Sequence, residues 1–325
     1  MQADAQPAQT LDPLISPPLF ISSSTGESES AGPSYHPLFN SPDGDTVLGS
    51  KNGVLFRVHS FTLKTTSGWF RTMFSLPQRS GSSTSDSTQE TAVASTSSGT
   101  LSENIIYVDE DSTTLESLLR LISGLPIPKL DSYDTIEPLL YAAEKYDMPG
   151  PLSLVRALIS TSPFTSDPLR LYTLCCRYGW TSEAQSASTQ SLTLNIHSPT
   201  HRPTLLKLST TALLNLVDLH YARRDTLRTR LNEPPFVNDD SEASCSHCGV
   251  LVKYHTWREL KFVICSEMDV RPMGDTVLEK GLNEWPAAKA CWSAKCKSCD
   301  RVLYDKEQTL RAIRQVIDKL PSKVE

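Results

Sequence analysis

Two short segments near the end of the chain carry the clearest chemistry: Cys245-Ser-His-Cys248-Gly249 and Cys296-Lys-Ser-Cys299-Asp300. A C-x-x-C turn aims two thiolates at one point, and two such turns supply the tetrahedral four-sulfur set that structural zinc prefers. Gly249 suits the tight turn that closes such a knuckle. The 47 residues between Cys248 and Cys296 exceed the linker of an ordinary finger. Zinc held by Cys245, Cys248, Cys296 and Cys299 is therefore weighed against unliganded, partly buried thiols and against a redox dithiol. His247, His255, Cys265 and Cys291 are substitute ligands, each read more simply as a core or surface residue. Enzyme signatures are missing. No His is followed two residues later by Glu, as a zinc deaminase requires, and there is no G-x-S-x-G elbow, P-loop or H-E-x-x-H. The adjacent Cys175 and Cys176 fall in an expected helix beside Leu171 and Leu174 and read as core.

The elements that must position these cysteines lie between and after them. Trp257, Phe262, Val263, Ile264, Trp285 and Trp292 form a miniature core. A strand over Leu260–Cys265 and another near Val302–Tyr304 would set the knuckles side by side. Asp305 caps a following helix, with Gln308 at its third position, and Leu310, Ile313, Ile317 and Leu320 make its apolar face. Residues 245–320 are thus expected to form a small Cys-rich module that a metal staples.

Upstream, composition divides the chain. Of 325 residues 38% are apolar, about 39% when Gly replaces Tyr in the count, against 45–50% for ordinary globular domains. The deficit lies in three stretches. Residues 1–44 hold no Lys or Arg and five acids, Asp4, Asp12, Glu27, Glu29 and Asp43, which are most of the net charge of −6. They are expected to be a disordered acidic arm, in which Tyr35-His36-Pro37-Leu38-Phe39 can dock locally. Residues 77–103, with nine Ser and five Thr, read as a long flexible loop, and 232–244 as a Pro- and acid-rich linker.

Between these stretches the periodicity is clear. Asp45–Leu48, an Asn52-Gly53 turn and Val54–Val58 read as a hairpin, and Ile105–Val108 as a third strand. Leu115, Leu118, Leu119 and Ile122 share a helix face, with Thr113 and Glu116 as a capping box. Further helices are expected from Asp134 to about Asp147, with Pro138 in the first turn, and from Pro151. Others follow over Pro168–Tyr178 ending at Gly179, over Thr181–Leu194 and over Thr210–Leu231. Strands first and helices afterwards make the fold class α+β, with a helical extension over 161–231.

Asp45-Thr-Val-Leu-Gly-Ser-Lys-Asn-Gly-Val-Leu-Phe-Arg-Val-His-Ser-Phe-Thr-Leu63 followed by Trp69-Phe-Arg-Thr-Met-Phe-Ser75 resembles the opening of a BTB/POZ domain. Val108-Asp-Glu-Asp-Ser112, Leu115–Ile122 and Tyr141-Ala-Ala-Glu-Lys-Tyr-Asp-Met148 resemble the segments that follow in that family, most closely in its fungal group. The resemblance covers 45–160, and Pro168–Thr193 resembles the helical pair that comes next. It departs at Ser60, where the family usually has a basic residue, and at Ser123, where an aromatic is common. It implies a small sheet flanked by helices, used for homodimerisation or for docking other proteins, in some members as adaptors on cullin-type ubiquitin ligases.

The expected function is a non-enzymatic scaffold or adaptor, cytoplasmic or nuclear, whose partner is a protein or a second copy of itself. No apolar run approaches the length of a membrane span, and residues 1–4 lack the basic start of a signal peptide. The alternative is a nuclear regulator whose tail contacts nucleic acid. With 14 Lys or Arg against 12 Asp or Glu over 241–325, the tail has only a small positive excess, so nucleic acid ranks below protein.

Overall fold

The computed structural model describes residues 34–76, 105–238 and 243–325. The expected loop 77–103 and most of the expected acidic arm lie outside the described residues. The fold is α+β. Strand β2 (Thr46–Gly49) returns as β3 (Leu55–Val58) through a turn in which Gly53 takes φ +84°, a conformation that favours glycine. Strand β4 (Ile105–Tyr107) lies parallel to β2, and β1 (Tyr35–Asn40) parallel to β3, for a sheet order β1-β3-β2-β4. Strand β1 corrects the arm boundary: Phe39 is buried and the His36 ring stacks on Phe56 at 4.8 Å, so the last part of the arm is sheet. Its segment Tyr35–Phe39 carries enough aromatic surface to offset the entropy of ordering.

Helices α1 (Ser60–Thr66), α2 (Gly68–Ser75), α3 (Ser112–Ile122), α4 (Tyr133–Lys145) and α5 (Pro149–Leu158) complete the N-terminal part. Ser60 has a local job. Its amide and hydroxyl both bond the Asp45 carboxylate at 2.6 Å, which serves the start of α1 in place of a side-chain cap and holds Asp45 below the usual carboxylate range. The cap of α3 is Asp111, which accepts from the Thr114 amide at 2.7 Å, rather than the expected Thr113–Glu116 box. Helix α4 starts one residue before Asp134, on the cap Ser132, so Pro138 is its sixth residue and removes a helical donor.

The segment Glu144–Met148 ties this part together. Buried Tyr146 stacks on Phe70 at 5.4 Å and donates to Glu110. Lys145 bridges Glu110 at 3.0 Å and Asp109 at 2.9 Å. Glu110 is thereby partnered by both a cation and a hydroxyl, as a buried carboxylate must be.

Helix α6 (Pro168–Arg177), capped by Asp167, turns at Gly179 (φ +67°) into α7 (Thr181–Ser191). Short α8 (Arg202–Leu205) leads into α9 (Thr210–Arg230), which has 21 residues. Leu216 and Leu219 of α9 belong to the core that contains the sheet, while Leu227 and Leu231 belong to a second core, with Trp257, Leu260, Ile264, Ile313 and Ile317. One helix therefore feeds both cores. The expected linker also takes part: Phe236 stacks on Trp257 at 5.4 Å, and the Val237 carbonyl accepts from the Trp257 indole and from Lys261.

Where α9 crosses from one core to the other, Arg223 is only 4% exposed. Its guanidinium donates to the carbonyls of Pro272 (2.6 Å), Met273 (2.8 Å) and Pro321 (2.8 Å). One turn earlier, His220 is buried and hydrogen-bonded to the Ser191 hydroxyl at 3.0 Å. Burial, with the charges of His197 and Arg223 adding to it, holds the His220 imidazole down at about 4. An unfolded chain carries it near 6.5. The unfolded state therefore binds more protons between these values, and this contribution to stability, complete above pH 6.5, is lost as pH falls towards 4. Unfolding free energies from urea melts between pH 7 and pH 4.5 should fall, by roughly 2 kcal/mol from this group. A His220→Gln chain, already less stable at pH 7, should show a flatter profile. Parallel profiles would remove His220 as the cause.

Candidate metal centre

The two C-x-x-C segments fold into hairpin knuckles with the same backbone plan. In the first, β5 (Ala243–Ser244) pairs with β6 (Leu251–Val252). The Cys245 amide donates to the Val250 carbonyl (2.8 Å) and the Gly249 amide to the Cys245 carbonyl (2.9 Å). In the second, Lys295 bridges to Val302, the Cys296 amide donates to the Arg301 carbonyl (2.8 Å) and the Asp300 amide to the Cys296 carbonyl (2.9 Å). Gly249 and Asp300 occupy equivalent positions with φ +72° and +54°. The second knuckle thus takes an aspartate into the left-handed region, which Asp tolerates better than most residues. The expected strand at Val302–Tyr304 shrinks to that single bridge.

The expected strand over Leu260–Cys265 is overturned. Those residues lie in α10 (His255–Val270). The reason is the wider window: Trp257, Leu260, Ile264 and Met268 recur at helical spacing, so all four are buried, while Phe262 falls on the outer face and is 74% exposed. Helices α11 (Leu282–Glu284) and α12 (Pro286–Ser293) follow, and α12 packs on α10 before the chain reaches the second knuckle. Tyr254 anchors the first knuckle by donating to the Ser244 carbonyl at 3.1 Å. It packs edge-on to Tyr304, whose hydroxyl meets Thr256 at 3.0 Å. Helix α13 (Lys306–Asp318) starts on Asp305, which accepts from the Gln308 amide at 3.0 Å as expected.

These supports bring the four expected sulfurs together. Cys245, Cys248, Cys296 and Cys299 place their Sγ atoms within 4.8 Å of one another. Cys245 faces Cys299 at 3.8 Å and Cys248 faces Cys296 at 3.6 Å, with all four thiols free. A metal bound to four thiolates at about 2.3 Å in a tetrahedron separates its sulfurs by about 3.8 Å. The donor set and spacing therefore fit a metal ion and are compatible with zinc. His247, His255, Cys265 and Cys291 do not join the four sulfurs. His247 is exposed and meets Arg301 at 3.4 Å, His255 is exposed at the start of α10, and Cys291 is fully buried in α12, where burial pushes its thiol up to about 12. Cys175 is likewise core.

Electrostatics at the cluster are uneven. The amides of Cys299 and Ser298 point at the Cys296 sulfur and bring it down to about 7. Those of His247 and Cys248 lower Cys245 in the same way. At Cys299 the Arg301 amide favours the thiolate, but burial and the neighbouring sulfurs outweigh it and push the thiol up to about 11. Four thiolates this close repel one another, and a divalent cation removes that penalty while displacing the remaining protons. The amides that prepare Cys245 and Cys296 are backbone groups. Only the C-x-x-C spacing signals them in the sequence.

No protein-family model matches the chain, and no curated protein matches it.

A Cβ added at Gly249 meets nothing within 4 Å, so Gly249→Ala tests the backbone alone. It should lower stability by about 1 kcal/mol through the left-handed φ, whereas Asp300→Gly should not. Paired urea melts of the full chain check this, and equal losses would contradict the equivalence of the two turns.

Proposed function

We propose that the chain is a non-enzymatic protein-interaction scaffold. Its N-terminal α+β part is of the BTB/POZ type and dimerises or docks a protein, while its C-terminal module is stapled by zinc on Cys245, Cys248, Cys296 and Cys299. The order of short motifs from Asp45 to Met148 supports the family reading. The observation that carries the interaction reading is the apolar outer surface of the first helices, where Phe61 is 77% exposed, Leu76 60% and Trp69 41%. Single exposed apolar side chains are ordinary, but three on or beside a pair of packed helices make a face that a partner can cover. The non-enzymatic reading is supported by a groove of about 1060 Å³ between α4 and α6. Its charged groups are taken up by one another, Lys145 by Asp109 and Glu110, Arg170 by Asp134 and Glu137, and Arg177 by Glu144. Such a lining holds a shape and leaves little for proton transfer.

Zinc would be held by the four cysteines as a structural ion, closing the module without an open coordination position. Among the described residues no helix is long and apolar enough to cross a membrane. Contact with nucleic acid by the tail is the second reading. It is favoured by Lys253, Lys297 and Arg301, all exposed on or beside the knuckles.

Elemental analysis of the purified full chain should find one zinc per chain. Cys296→Ser should lose it, and a strong chelator should lower the melting temperature by several degrees. A chain folded without bound zinc would end the structural-metal reading. Light scattering at about 100 μM, a concentration that populates even a micromolar dimer, should give twice the 35.9 kDa chain mass, with Phe61→Asp shifting it towards monomer. A monomer throughout removes homodimerisation and leaves docking of other proteins. Quantitative affinity mass spectrometry then tests the adaptor role, which requires a cullin among the partners. A salt-sensitive shift of random duplex would instead favour the second reading.

A further inference from the structure

The same four sulfurs have a second chemistry that the structural-metal reading leaves unused. They are not shielded by an aromatic or apolar lid. Cys248 is exposed and Cys299 half-buried, while Cys245 and Cys296 sit beneath them. Of the four remaining thiols, Cys176 and Cys265 are half-buried like Cys299, whereas Cys175 and Cys291 are fully buried, each inside a helix of a packed core. An oxidant in solution therefore meets the cluster before it meets these two.

The pairing is also prepared. All four sulfurs lie within 4.8 Å of one another and each hairpin's own pair also interacts, but the two contacts at hydrogen-bonding range run from one hairpin to the other, Cys245 to Cys299 at 3.8 Å and Cys248 to Cys296 at 3.6 Å. Within each hairpin the turn amides hold the first sulfur in place, His247 and Cys248 on Cys245, and Cys299 and Ser298 on Cys296. A disulfide inside one C-x-x-C would have to break those contacts and reshape a turn already closed by a left-handed residue. A disulfide between hairpins needs only a further approach of two facing sulfurs towards the 2.05 Å bond length.

The geometry points to a peroxide-sensitive modification site: hydroperoxides oxidise the cluster to two inter-hairpin disulfides, Cys245–Cys299 and Cys248–Cys296, expelling the metal while the hairpins stay joined. Each disulfide forms in two steps. A thiolate attacks the peroxide, breaking the O–O bond to give a sulfenic acid and a hydroxide that takes up a proton to become water. The facing thiolate then attacks that sulfur and displaces a second hydroxide, which is likewise protonated. With zinc bound, four thiolates, two hydrogen peroxide molecules and four protons yield two disulfides, four waters and free Zn²⁺. Sulfur is oxidised, peroxide oxygen is reduced, and the zinc keeps its charge.

The outcome differs from simple chelation. Removing the metal alone leaves the two hairpins without a cross-link, whereas oxidation replaces one staple with another, so the module stays folded without metal. The zinc part of this inference rests on the reading above, but the disulfide pattern does not, since the facing thiols can close with or without a metal.

The test uses the full chain in two forms, as purified and after chelation, each treated with a few equivalents of hydrogen peroxide, digested without reduction and mapped by mass spectrometry. In both, the peptide carrying Cys245 should be joined to that carrying Cys299, and Cys248 to Cys296. In the metal-loaded form a chromogenic chelator should register one zinc released per chain in step with disulfide formation. Dithiothreitol with added zinc should restore the starting state. Cys299→Ser should form the Cys248–Cys296 bond alone. Disulfides within either C-x-x-C, bonds between chains, or sulfinic acid without disulfide would overturn the inference, even if zinc is present. Inter-hairpin disulfides in a chain that never held zinc would leave it standing and end the metal reading instead.

Discussion

The constraint on which the C-terminal half depends is that four sulfurs from opposite ends of a long insertion must come within one coordination sphere. The two knuckles are separated by 47 residues, and closing a loop of that length costs entropy whether or not a metal follows. The chain meets this cost with packing. Helix α10 begins three residues after the first knuckle, runs beneath it and hands the chain to α12, which ends just before the second. The buried Trp257, Leu260, Ile264, Ala288 and Cys291 hold the two ends of the insertion at a fixed separation, so the cysteines are presented rather than searched for. A finger with a short linker relies on its metal to create a core. Here a core exists around α10 and the cluster closes its upper rim, so a metal bound there would clamp a preformed frame.

That frame is anchored outside itself. Helix α9 contributes Leu216 and Leu219 to one core and Leu227 to the other, and the transition between them falls at Arg223. A guanidinium buried among backbone carbonyls is an unusual choice, because no carboxylate is hydrogen-bonded to it, and burial lowers its proton affinity. Its planar set of donors reaches carbonyls on two separate stretches, 272–273 and 320–321, which a smaller donor could not do at once. The end of the chain adds to this: Val324 is buried in the first core and its amide bonds Ser188, while the Met273 amide bonds the Leu192 carbonyl. The module is thus held against the helical extension by directional polar contacts. Such contacts fix orientation more strongly than they add stability.

How much of this was legible follows from where the determining signals lie. The β2–β3 hairpin could be read because Asn52-Gly53 encodes a backbone conformation locally, and the clustering of the four cysteines could be read because C-x-x-C encodes a turn. The α13 cap was equally local, Asp305 and Gln308 being three residues apart. What failed was read too narrowly. Leu260–Cys265 is apolar enough for a strand when taken alone, and only Trp257 and Met268 outside that window disclose the helical period. The last part of the acidic arm failed for another reason. Tyr35–Asn40 becomes a strand because β3 offers an open edge, and that partner, twenty residues away, is absent from the composition of the arm. The Arg223 clamp left no signal at all, since its acceptors are carbonyls, which every residue carries.

The difference between local and distant signals also separates what the two halves require. The N-terminal part contains Glu110, Lys145 and Tyr146 as a closed polar set inside an apolar core, so its stability is internal to the chain. The cluster at the knuckles is not closed in this sense. The backbone amides and the facing thiols stabilise negative charge at Cys245 and Cys296, but the neighbouring sulfurs push the Cys299 thiol up, and among the described residues no Lys or Arg is hydrogen-bonded to these sulfurs to offset it. The nearby Lys295 is instead paired with Asp300 at 3.1 Å, and Arg301 leans on His247. The electrostatic balance of the module is therefore left to something the polypeptide does not itself supply. A cation completes it in one way and oxidation in another, because a disulfide removes the charges rather than compensating them. A hydrophobic plug of equal volume would stabilise the same hairpins without depending on conditions. Four thiols make the rim of this core responsive to metal and to oxidant, and the clamp at Arg223 links that rim to the rest of the chain.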